Sequence, residues 1–533
     1  MSNIADNNNN QISYFSNSAS KINTVFASSR LAYLFVFIAG ALLPLAFSPL
    51  NYYFLAFLSP AVLFYSLLTA NPKRAALLSW WFGLGYFGVG ISWVYVAIYV
   101  FGLSSVITSV FFTLISINVI AAFLALQGYL SVLFISKLHI TNRSIILLIV
   151  FPLFWVLSEW FRGWFLTGFP WLSVGYSQVH SLLAGYAPVA GVFGVSGITV
   201  FFSSLLLLLS LSLFNKKFNT SITAVVLIIL VWVSGYALTQ KDWTEVVSKP
   251  LKVSLVQGNV EQMNKWDPDH FDKRKQTYLS LTEKNWGSDL ILWPENSLTI
   301  FQHQLQKSVI APLAAEAKKN NTDIIFGLPT LNQETDEYFS SLMALSAEHG
   351  QQFYHKNHLV PFGEYLPLDS LLRGLVNFFN LPMSDFTPGD YEQNLFLAAG
   401  QKIAPTICYE DAFGEDLIRF LPEATLLLNA SNNAWYGDSF APHQHLQISQ
   451  MRALETGRDM MRVTTNGVSA LIDFKGNIIS RSPQFESYVV TGLVQPRLGK
   501  TPYVAMGNAP LISMMILVLV LIVFLNKFKY FRC

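Results

Sequence analysis

The sequence predicts a polytopic α-helical membrane bundle with eight spans, joined to an α/β domain. Composition is the first observation behind this prediction: 52% of the 533 residues are hydrophobic, 12% are charged and the mean hydropathy is +0.41, whereas soluble domains carry about 25% charged residues. The second observation is a series of eight apolar segments. The third is one long, more polar stretch between the last two of these segments.

The apolar segments are each close to the roughly 20 residues that a helix needs to cross the hydrocarbon core. Before them, residues 1–29 are polar and rich in asparagine, which predicts a flexible leader. The first apolar segment has no convincing small-residue cleavage site and is therefore expected to stay as an anchor. The eight segments cover residues 31–50, 52–70, 76–100, 105–135, 144–164, 190–214, 221–239 and 508–526.

Basic residues cluster in the loops on one side of this predicted bundle. Because cytoplasmic loops retain lysine and arginine, both termini are expected in the cytoplasm and the polar stretch outside it. A net charge of +2 without a basic stripe gives no support to a nucleic-acid partner. The clusters are Lys21 with Arg30, Lys73 with Arg74, Lys137 with Arg143, Lys216 with Lys217, and Lys527 with Lys529 and Arg532.

These features divide the chain into four expected regions. Residues 1–29 form the leader, 30–243 hold seven spans with an arm near 164–178, 244–503 form the outer domain, and 504–533 hold the eighth span and a short basic tail. Within the outer domain, short apolar runs bounded by turn residues alternate with helical stretches. This order is typical of an α/β domain with a buried sheet, and functional side chains are expected at the strand ends.

Cys408 ends one apolar run of the outer domain and is one of only two cysteines. The other, Cys533, is predicted on the cytoplasmic side, so the two thiols cannot pair within one chain. Glu295 directly follows another apolar run, and Lys356 lies between the two in sequence. A carboxylate can act as the base for a thiol, and an ammonium can stabilise the oxyanion that forms when the thiolate attacks a carbonyl. Together the three residue types predict acyl transfer through a thioester.

Each of these residues has an ordinary structural explanation when it is taken alone. Free cysteine is often a small buried hydrophobe, a glutamate after proline often begins a helix, and most lysines are solvated. Their joint occurrence favours a site. His443 and His445, near Asp438, resemble a metal-binding pair, but one pair without a second cluster does not predict a metal. No nucleotide or cofactor fingerprint occurs in a suitable context.

Longer motifs surround the three residues. Trp293-Pro294-Glu295, then Lys356 ahead of Val360-Pro361-Phe362-Gly363-Glu364-Tyr365, then Cys408-Tyr409-Glu410 resemble the Glu-Lys-Cys signature of the nitrilase superfamily. With seven spans before these motifs and one after them, the chain resembles the apolipoprotein N-acyltransferase family from about Leu31 to Phe531. Residues 169–172, 175–178 and 431–437 belong to the same resemblance.

The resemblance implies a nitrilase-like αββα sandwich at the periplasmic face of the inner membrane. It implies that Glu295 is the general base, Lys356 the oxyanion stabiliser and Cys408 the nucleophile. The auxiliary residues that it implies are Glu364 near the lysine, Tyr409 and Glu410 beside the thiol, Trp435 in the pocket, and Trp266 on a mobile arm near the acyl chain.

The same resemblance implies a ping-pong N-acyltransferase that needs no cofactor. The donor is a phospholipid, commonly phosphatidylethanolamine, whose acyl chain passes through a thioester on Cys408. The acceptor is the α-amino group of the N-terminal diacylglyceryl cysteine of an apolipoprotein. Nothing in the sequence demands more than one copy, so a monomer is expected.

Three further features bear on membrane contact. Residues 368–386 are apolar and form either a lid or an ordinary buried helix, and the arm near 164–178 suits the interface. Arg458 is a candidate contact for a lipid phosphate, or else a surface helix charge.

Two other functions stay open at this point. If water resolves the thioester, the chain is a membrane-tethered nitrilase-type amidase or hydrolase, and the three residues alone do not tell water from an amine. A transporter with an outer ligand-binding domain is the second alternative. The few charges inside the spans and the lack of a repeat of broken helices disfavour it.

Overall fold

The computed structural model describes residues 30–102, 104–370, 373–374 and 385–530. The predicted leader and most of the 368–386 stretch lie outside the described residues. Apolar helices precede the first strand, and each lies where a span is predicted. They are α1 Leu31–Leu42, α2 Leu55–Leu67, α3 Pro72–Gly90, α4 Val106–Lys137, α5 Arg143–Arg162, α6 Ala187–Phe214 and α7 Phe218–Thr239.

Helix length limits how many of these segments can cross a membrane. Within the described ranges, five helices are long and apolar enough, or six if α3 and Val94–Phe101, bent by 57°, form one span. α2, with 13 residues, is about 20 Å long, which is shorter than the roughly 30 Å hydrocarbon core. Pro44 cannot donate the next helical hydrogen bond, and the chain after α1 continues as a 3-10 turn that ends at Ala46. Membrane helices are thus confirmed, while the count of eight crossings stays a prediction.

Glycines allow α1 and α3 to pack backbone against backbone. A β-carbon added at Gly40 of α1 would overlap the carbonyl of Phe82, and one added at Gly85 of α3 would overlap the carbonyl of Phe37. In lipid, where apolar side chains gain little by leaving the hydrocarbon, such close contact supplies the attraction that holds helices together. α3 is therefore held firmly up to the bend that follows Gly90.

Among the described residues of the outer domain, the strands form two six-stranded sheets and one two-stranded sheet. The strands are β1 Thr244–Val246, β2 Leu251–Gln257, β3 Leu290–Leu292, β4 Asp323–Leu331, β5 Tyr338–Ser346, β6 Gly350–His355, β7 Phe396–Ala398, β8 Gln401–Ile407, β9 Leu426–Ser431, β10 Met460–Thr464, β11 Ala470–Ile472, β12 Ile478–Arg481, β13 Tyr488–Val494 and β14 Arg497–Gly499. The strand orders are β13-β2-β3-β4-β5-β6 and β12-β11-β10-β9-β8-β7.

The middle strands of each large sheet are parallel. β2, β3 and β4 run together in one sheet, and β8, β9 and β10 run together in the other. Their carboxyl ends therefore meet at one edge of each sheet, where ligands bind in open α/β sheets. β1 pairs with β14, so the two ends of the domain meet beside the membrane helices that precede and follow it.

Helices cover the outer face of each sheet, which gives the αββα order that the resemblance implies. The helices after β2 are α8 Phe271–Glu283, α9 Gln302–Leu305, α10 Ala311–Lys319, α11 Gly414–Ile418, α12 Ala441–Thr456 and α13 Pro502–Met506, and α14 Ala509–Tyr530 follows them where the eighth span is predicted. α8 and α10 contact the first sheet, and α12 contacts the second. Leu255, Ile325, Leu428 and Val463, from both sheets, lie in one core between them.

The side chain of Gln444, in α12, joins the outer domain to the membrane bundle. Its Oε1 accepts hydrogen bonds from the indole N–H groups of Trp93 at 3.1 Å and Trp171 at 2.7 Å. Its Nε2 donates to the Gly90 carbonyl at 3.1 Å, and Gly90 ends α3, where carbonyls lack helical partners. One buried amide thus satisfies three polar groups and fixes the bend of α3 against the domain.

Gln444→Leu is expected to destabilise the protein, because it leaves two indole N–H groups and one carbonyl without these partners. Each unsatisfied buried group costs about 1–3 kcal/mol, so the midpoint of thermal unfolding in detergent should fall by at least about 5 °C. Gln304→Leu, at an exposed position in α9, is the control and should leave the midpoint unchanged. Equal midpoints for the two variants would contradict this role of Gln444.

Candidate active site

Three strand ends bring the predicted catalytic residues together. Glu295 lies just after β3, Lys356 directly follows β6, and Cys408 directly follows β8. All three are buried, with 4%, 1% and 7% of their surface exposed. Lys356 Nζ donates to Glu295 Oε1 at 3.1 Å, and the Cys408 thiol lies near enough to both for their charges to act on its pKa. An acid, an amine and a thiol therefore share one enclosed cluster.

Lys356 lies between two carboxylates. Besides Glu295, its Nζ donates to Glu364 Oε1 at 2.6 Å, and Glu364 Oε2 accepts from the Val360 N–H at 2.8 Å. Burial alone lowers the pKa of Lys356, but Glu295 and Glu364 outweigh this effect and raise the pKa well above its ordinary value. The lysine therefore stays a charged ammonium inside the protein, where it can stabilise an oxyanion.

The backbone of Cys408 is held in the left-handed region. Its φ is 52°, a conformation that costs a non-glycine residue about 1–3 kcal/mol and needs support from its surroundings. The Cys408 carbonyl accepts hydrogen bonds from Asn429 Nδ2 at 3.0 Å and from His445 Nε2 at 3.1 Å. These two donors fix the sharp turn that ends β8 and presents the sulfur to the cluster.

The thiol of Cys408 needs a base. Burial first, and then the Glu295 carboxylate, raise its pKa to about 12, although Lys356 opposes the shift. The thiol is therefore protonated at neutral pH and is not a nucleophile by itself. Glu295 is the carboxylate placed to accept its proton.

The backbone N–H of Asn432 connects the acid and the thiol. It donates to Glu295 Oε2 at 2.9 Å, while Lys356 binds the other carboxylate oxygen. The same N–H favours the thiolate of Cys408, since it lowers the pKa of the thiol against the effect of burial. Each oxygen of Glu295 thus has one donor, and one of these donors also favours the thiolate form of Cys408.

Glu410 ties the strand end of Cys408 to that of Lys356. Its Oε2 accepts from the Ile407 N–H at 2.7 Å, and its Oε1 accepts from the N–H groups of Asn357 at 2.7 Å and His358 at 3.1 Å. The Tyr354 hydroxyl donates to the same carboxylate at 3.0 Å. Glu410 therefore sets the distance between the nucleophile and the lysine by holding both segments of main chain.

The arm near residues 164–178 reaches the site from the membrane bundle. The Tyr409 hydroxyl donates to the Gly168 carbonyl at 3.1 Å, and His358 Nε2 donates to the Thr167 carbonyl at 2.9 Å. Leu166 and Thr167 have φ values of 51° and 75°, so this tight turn needs such support. Tyr409, next to the nucleophile, and His358, two residues beyond the catalytic lysine, thus bind the arm directly.

His445 belongs to a buried network behind the nucleophile. Its Nδ1 accepts from Asn433 Nδ2 at 3.1 Å, so Nε2 carries the proton that points at Asp411 Oδ1, 2.7 Å away, and at the Cys408 carbonyl. Burial, followed by the nearby charge of Arg462, lowers the pKa of His445 and keeps the ring neutral. Among the described residues, no group of three or more His, Cys, Asp or Glu side chains is arranged to hold a metal.

Trp266, Trp435 and Arg458 are also predicted from the sequence as site residues, and each lies in a different environment in the structure. Trp266 is 45% exposed, and the half-buried Trp435 places its ring 6.2 Å from that of Phe101. Arg458 is fully buried and donates to the carbonyls of Ala424 at 2.8 Å and Gly499 at 2.9 Å. Both interpretations of Arg458, as a lipid-phosphate contact and as a surface charge, are therefore wrong here, because backbone carbonyls surround its guanidinium.

Sequence reasoning missed several residues of the site. Asn432 acts through its backbone N–H, which no side-chain pattern can indicate, although the motif 431–437 contains it. His445 occurs in the pair considered for metal binding. Lys265 directly precedes Trp266, yet it is the lysine that is buried beside Glu295, with Nζ donating to the Glu295 carbonyl at 3.1 Å.

Two family models match the chain. One, for the apolipoprotein N-acyltransferase N-terminal domain, matches residues 39–205, and one for carbon-nitrogen hydrolases matches residues 252–503. Similar relatives, each named apolipoprotein N-acyltransferase, come from Methylococcus capsulatus (42% identical over 91% of this chain and 94% of the relative), Coxiella burnetii (40%, 91% and 98%) and Vibrio cholerae (38%, 92% and 96%).

The fold and the cluster define a membrane-bound enzyme of the carbon-nitrogen hydrolase superfamily. Its sandwich occupies the region that the hydrolase model matches, and its apolar helices occupy the other matched region. The chain belongs to the apolipoprotein N-acyltransferase family. It is therefore an acyltransferase, and the resemblance inferred from the motifs is confirmed.

Glu410→Ala is expected to reduce kcat/KM for acyl transfer by about 100-fold, because loss of the carboxylate frees the main chain on both sides of the site and a displacement of about 1 Å suffices for such a loss. Glu410→Gln should retain part of the activity, since one amide oxygen still accepts while the NH2 group faces a backbone donor. Glu423→Ala, an exposed glutamate, is the control. A Glu410→Ala enzyme that turns over at the wild-type rate would contradict this role of Glu410.

Proposed function

We propose that the protein transfers an acyl chain from a phospholipid to the α-amino group of the N-terminal diacylglyceryl cysteine of an apolipoprotein, through a thioester on Cys408. The observation that carries this proposal is the buried pair of Lys356 and Glu295 beside a protonated thiol. The pair supplies a base and an oxyanion stabiliser to a nucleophile that needs both. Family membership supplies the substrate class, since the relatives are named apolipoprotein N-acyltransferases.

In the first half-reaction, Glu295 takes the thiol proton as the Cys408 sulfur attacks the ester carbonyl of the phospholipid. Negative charge develops on the carbonyl oxygen, and the Lys356 ammonium stabilises it. The ester C–O bond then breaks, and Glu295 returns the proton to the leaving lysophospholipid oxygen. The new C–S bond holds the acyl chain on the enzyme.

In the second half-reaction, the neutral amine of the acceptor attacks the thioester carbonyl, and Lys356 again stabilises the oxyanion. The C–S bond breaks as the amide C–N bond forms. Glu295 accepts the proton from the amine nitrogen and passes it to the Cys408 sulfur, which restores the thiol. Because the lysophospholipid leaves before the acceptor reacts, the kinetics are ping-pong.

The remaining site residues support these steps in the proposed mechanism. Glu364 holds Lys356 in place and keeps it charged. Tyr409 and Glu410 fix the turn around the nucleophile, Trp435 shapes the pocket wall that faces the bundle, and the exposed ring of Trp266 borders the acyl chain. An apolar ring that is 45% exposed suits contact with lipid.

We further propose that the enzyme lies in the inner membrane as a monomer with eight crossings, both termini in the cytoplasm and the domain of residues 244–503 in the periplasm. The basic clusters on one side of the bundle support this topology. The pairing of β1 with β14, which closes the domain next to its flanking helices, supports a catalytic domain held at the bilayer surface. Both substrates present their reacting groups there, and phosphatidylethanolamine is the proposed donor.

The proposal predicts that Cys408 carries the acyl group. When the purified protein is incubated with phosphatidylethanolamine labelled in its acyl chain, label should remain on Cys408 and pass to an added diacylated lipopeptide. Cys408→Ser and Cys408→Ala should take up no label. Cys533→Ala, which removes the only other cysteine, is the control and should behave like the wild type.

The products distinguish the alternative functions. Free fatty acid without labelled lipopeptide would indicate that water resolves the thioester, as in a hydrolase. A wild-type protein that never acquires a covalent label would indicate ligand binding or transport. Full activity of Cys408→Ala would contradict the proposed mechanism.

A further inference from the structure

Lys265 is a second buried lysine beside the reaction centre, and the mechanism above gives it no role. Only 2% of its surface is exposed, and its Nζ donates to the main-chain carbonyl of Glu295 at 3.1 Å. Lysine is almost never fully buried unless it is paired, since taking its charge out of water costs several kcal/mol. A neutral carbonyl alone does not offset this cost, so a buried ammonium at this position also needs negative charge nearby.

The charges of the cluster explain the need for a second cation. The carboxylates of Glu295 and Glu364 both contact the single ammonium of Lys356, which leaves one negative charge in excess when all three are ionised. Lys265 balances that excess. When the Cys408 thiol loses its proton or the attacked carbonyl becomes an oxyanion, a further negative charge forms in the same enclosed space, and a nearby cation lowers its free energy.

The segment around Lys265 directs its side chain toward the cluster. Gln262 and Lys265 are buried, whereas the neighbouring ring of Trp266 is exposed. Gln262 Oε1 accepts from Asn432 Nδ2 at 2.8 Å, and the backbone N–H of Asn432 is a donor to the Glu295 carboxylate. The segment therefore supports Glu295 in two ways. Lys265 binds the main-chain carbonyl of Glu295, and Gln262 binds Asn432, whose N–H binds the Glu295 carboxylate.

We propose that Lys265 is a positioning residue of the reaction centre: its ammonium fixes the main chain of Glu295 and supplies the second positive charge that the two carboxylates and the forming thiolate require. This inference rests on the proposed roles of Cys408 and Glu295. It goes beyond them by adding a residue that acts on Glu295 and Cys408 through its position and its charge.

The role requires the lysine to be charged. Burial lowers the pKa of Lys265 to about 8, although the charges of Glu295 and Cys408 oppose this shift. The positive charges of Arg274 and Lys356 act in the same direction as burial and favour the neutral form of Lys265. The ammonium is therefore present at neutral pH and is lost as the pH rises above about 8. The pKa values of Cys408, at about 12, and of Lys356, well above its ordinary value, keep these two groups from titrating in the same range.

The first test is the pH profile of acyl-enzyme formation from labelled phosphatidylethanolamine in detergent micelles, with the full-length protein. In the wild type the rate should fall above about pH 8, because Lys265 loses its charge. Lys265→Arg keeps the charge and should be active without this alkaline fall. Lys265→Met should form the acyl-enzyme roughly tenfold or more slowly at neutral pH. Lys273→Met, an exposed lysine in α8, is the control and should match the wild type.

The second test separates charge from packing. Alkylation of Cys408 by iodoacetamide requires the thiolate, so loss of the second cation should slow it about tenfold at neutral pH in Lys265→Met. Loosened packing alone would expose the thiol and speed up alkylation. Unchanged or faster alkylation, or an alkaline fall that persists in Lys265→Arg, would overturn the role of Lys265. Acylation of a Cys408→Ala protein would instead overturn the proposed function, so the two failures can be told apart.

Discussion

The ammonium of Lys356, buried between the carboxylates of Glu295 and Glu364 at 3.1 and 2.6 Å, is the interaction on which the site depends. Removing one partner of a buried ion pair typically costs about 3–5 kcal/mol, because it leaves a charge without compensation. The cluster must therefore be assembled as a whole, with hydrogen-bond donors for the oxygens that the lysine does not reach. Asn432 and Val360 provide these donors through the main chain, so among the substitutions at these positions only proline removes the donor itself.

The membrane bundle takes part in holding the nucleophile. In α12, Gln444 binds the end of α3 and two tryptophans of the bundle, and the next residue, His445, binds the carbonyl of Cys408. On the other side of the sulfur, Tyr409 binds Gly168 of the arm. The strained turn at Cys408 is thus supported both by the sandwich and by segments of the helical bundle. This arrangement suits an enzyme whose substrates are both lipids, since the reacting carbonyl lies near the headgroups.

Local pattern was sufficient for the membrane helices and for the residues of the cluster, because the thickness of the hydrocarbon core demands long apolar runs and strand ends place polar residues at one edge. Local pattern did not predict how deeply a side chain is buried or which way it points. Arg458 has the pattern of a surface charge, yet loops distant in sequence surround it with carbonyls. Lys265 and Trp266 are neighbours, and only the fold decides that the lysine faces inward. Composition also hides where Pro44 ends an apolar helix, so it overstates helix length.

The role of Glu295 as the base for Cys408 is tested by the rate at which acyl-enzyme forms in a Glu295→Gln protein, followed by mass spectrometry of the intact chain during a single turnover. Glutamine keeps the shape of the side chain but removes the base and one of the two charges that hold Lys356. A general base typically contributes about 10²- to 10⁴-fold to a rate, so acylation of Cys408 should slow by at least about 100-fold while the protein stays folded. Acylation at the wild-type rate would show that Glu295 is not the base for the Cys408 thiol.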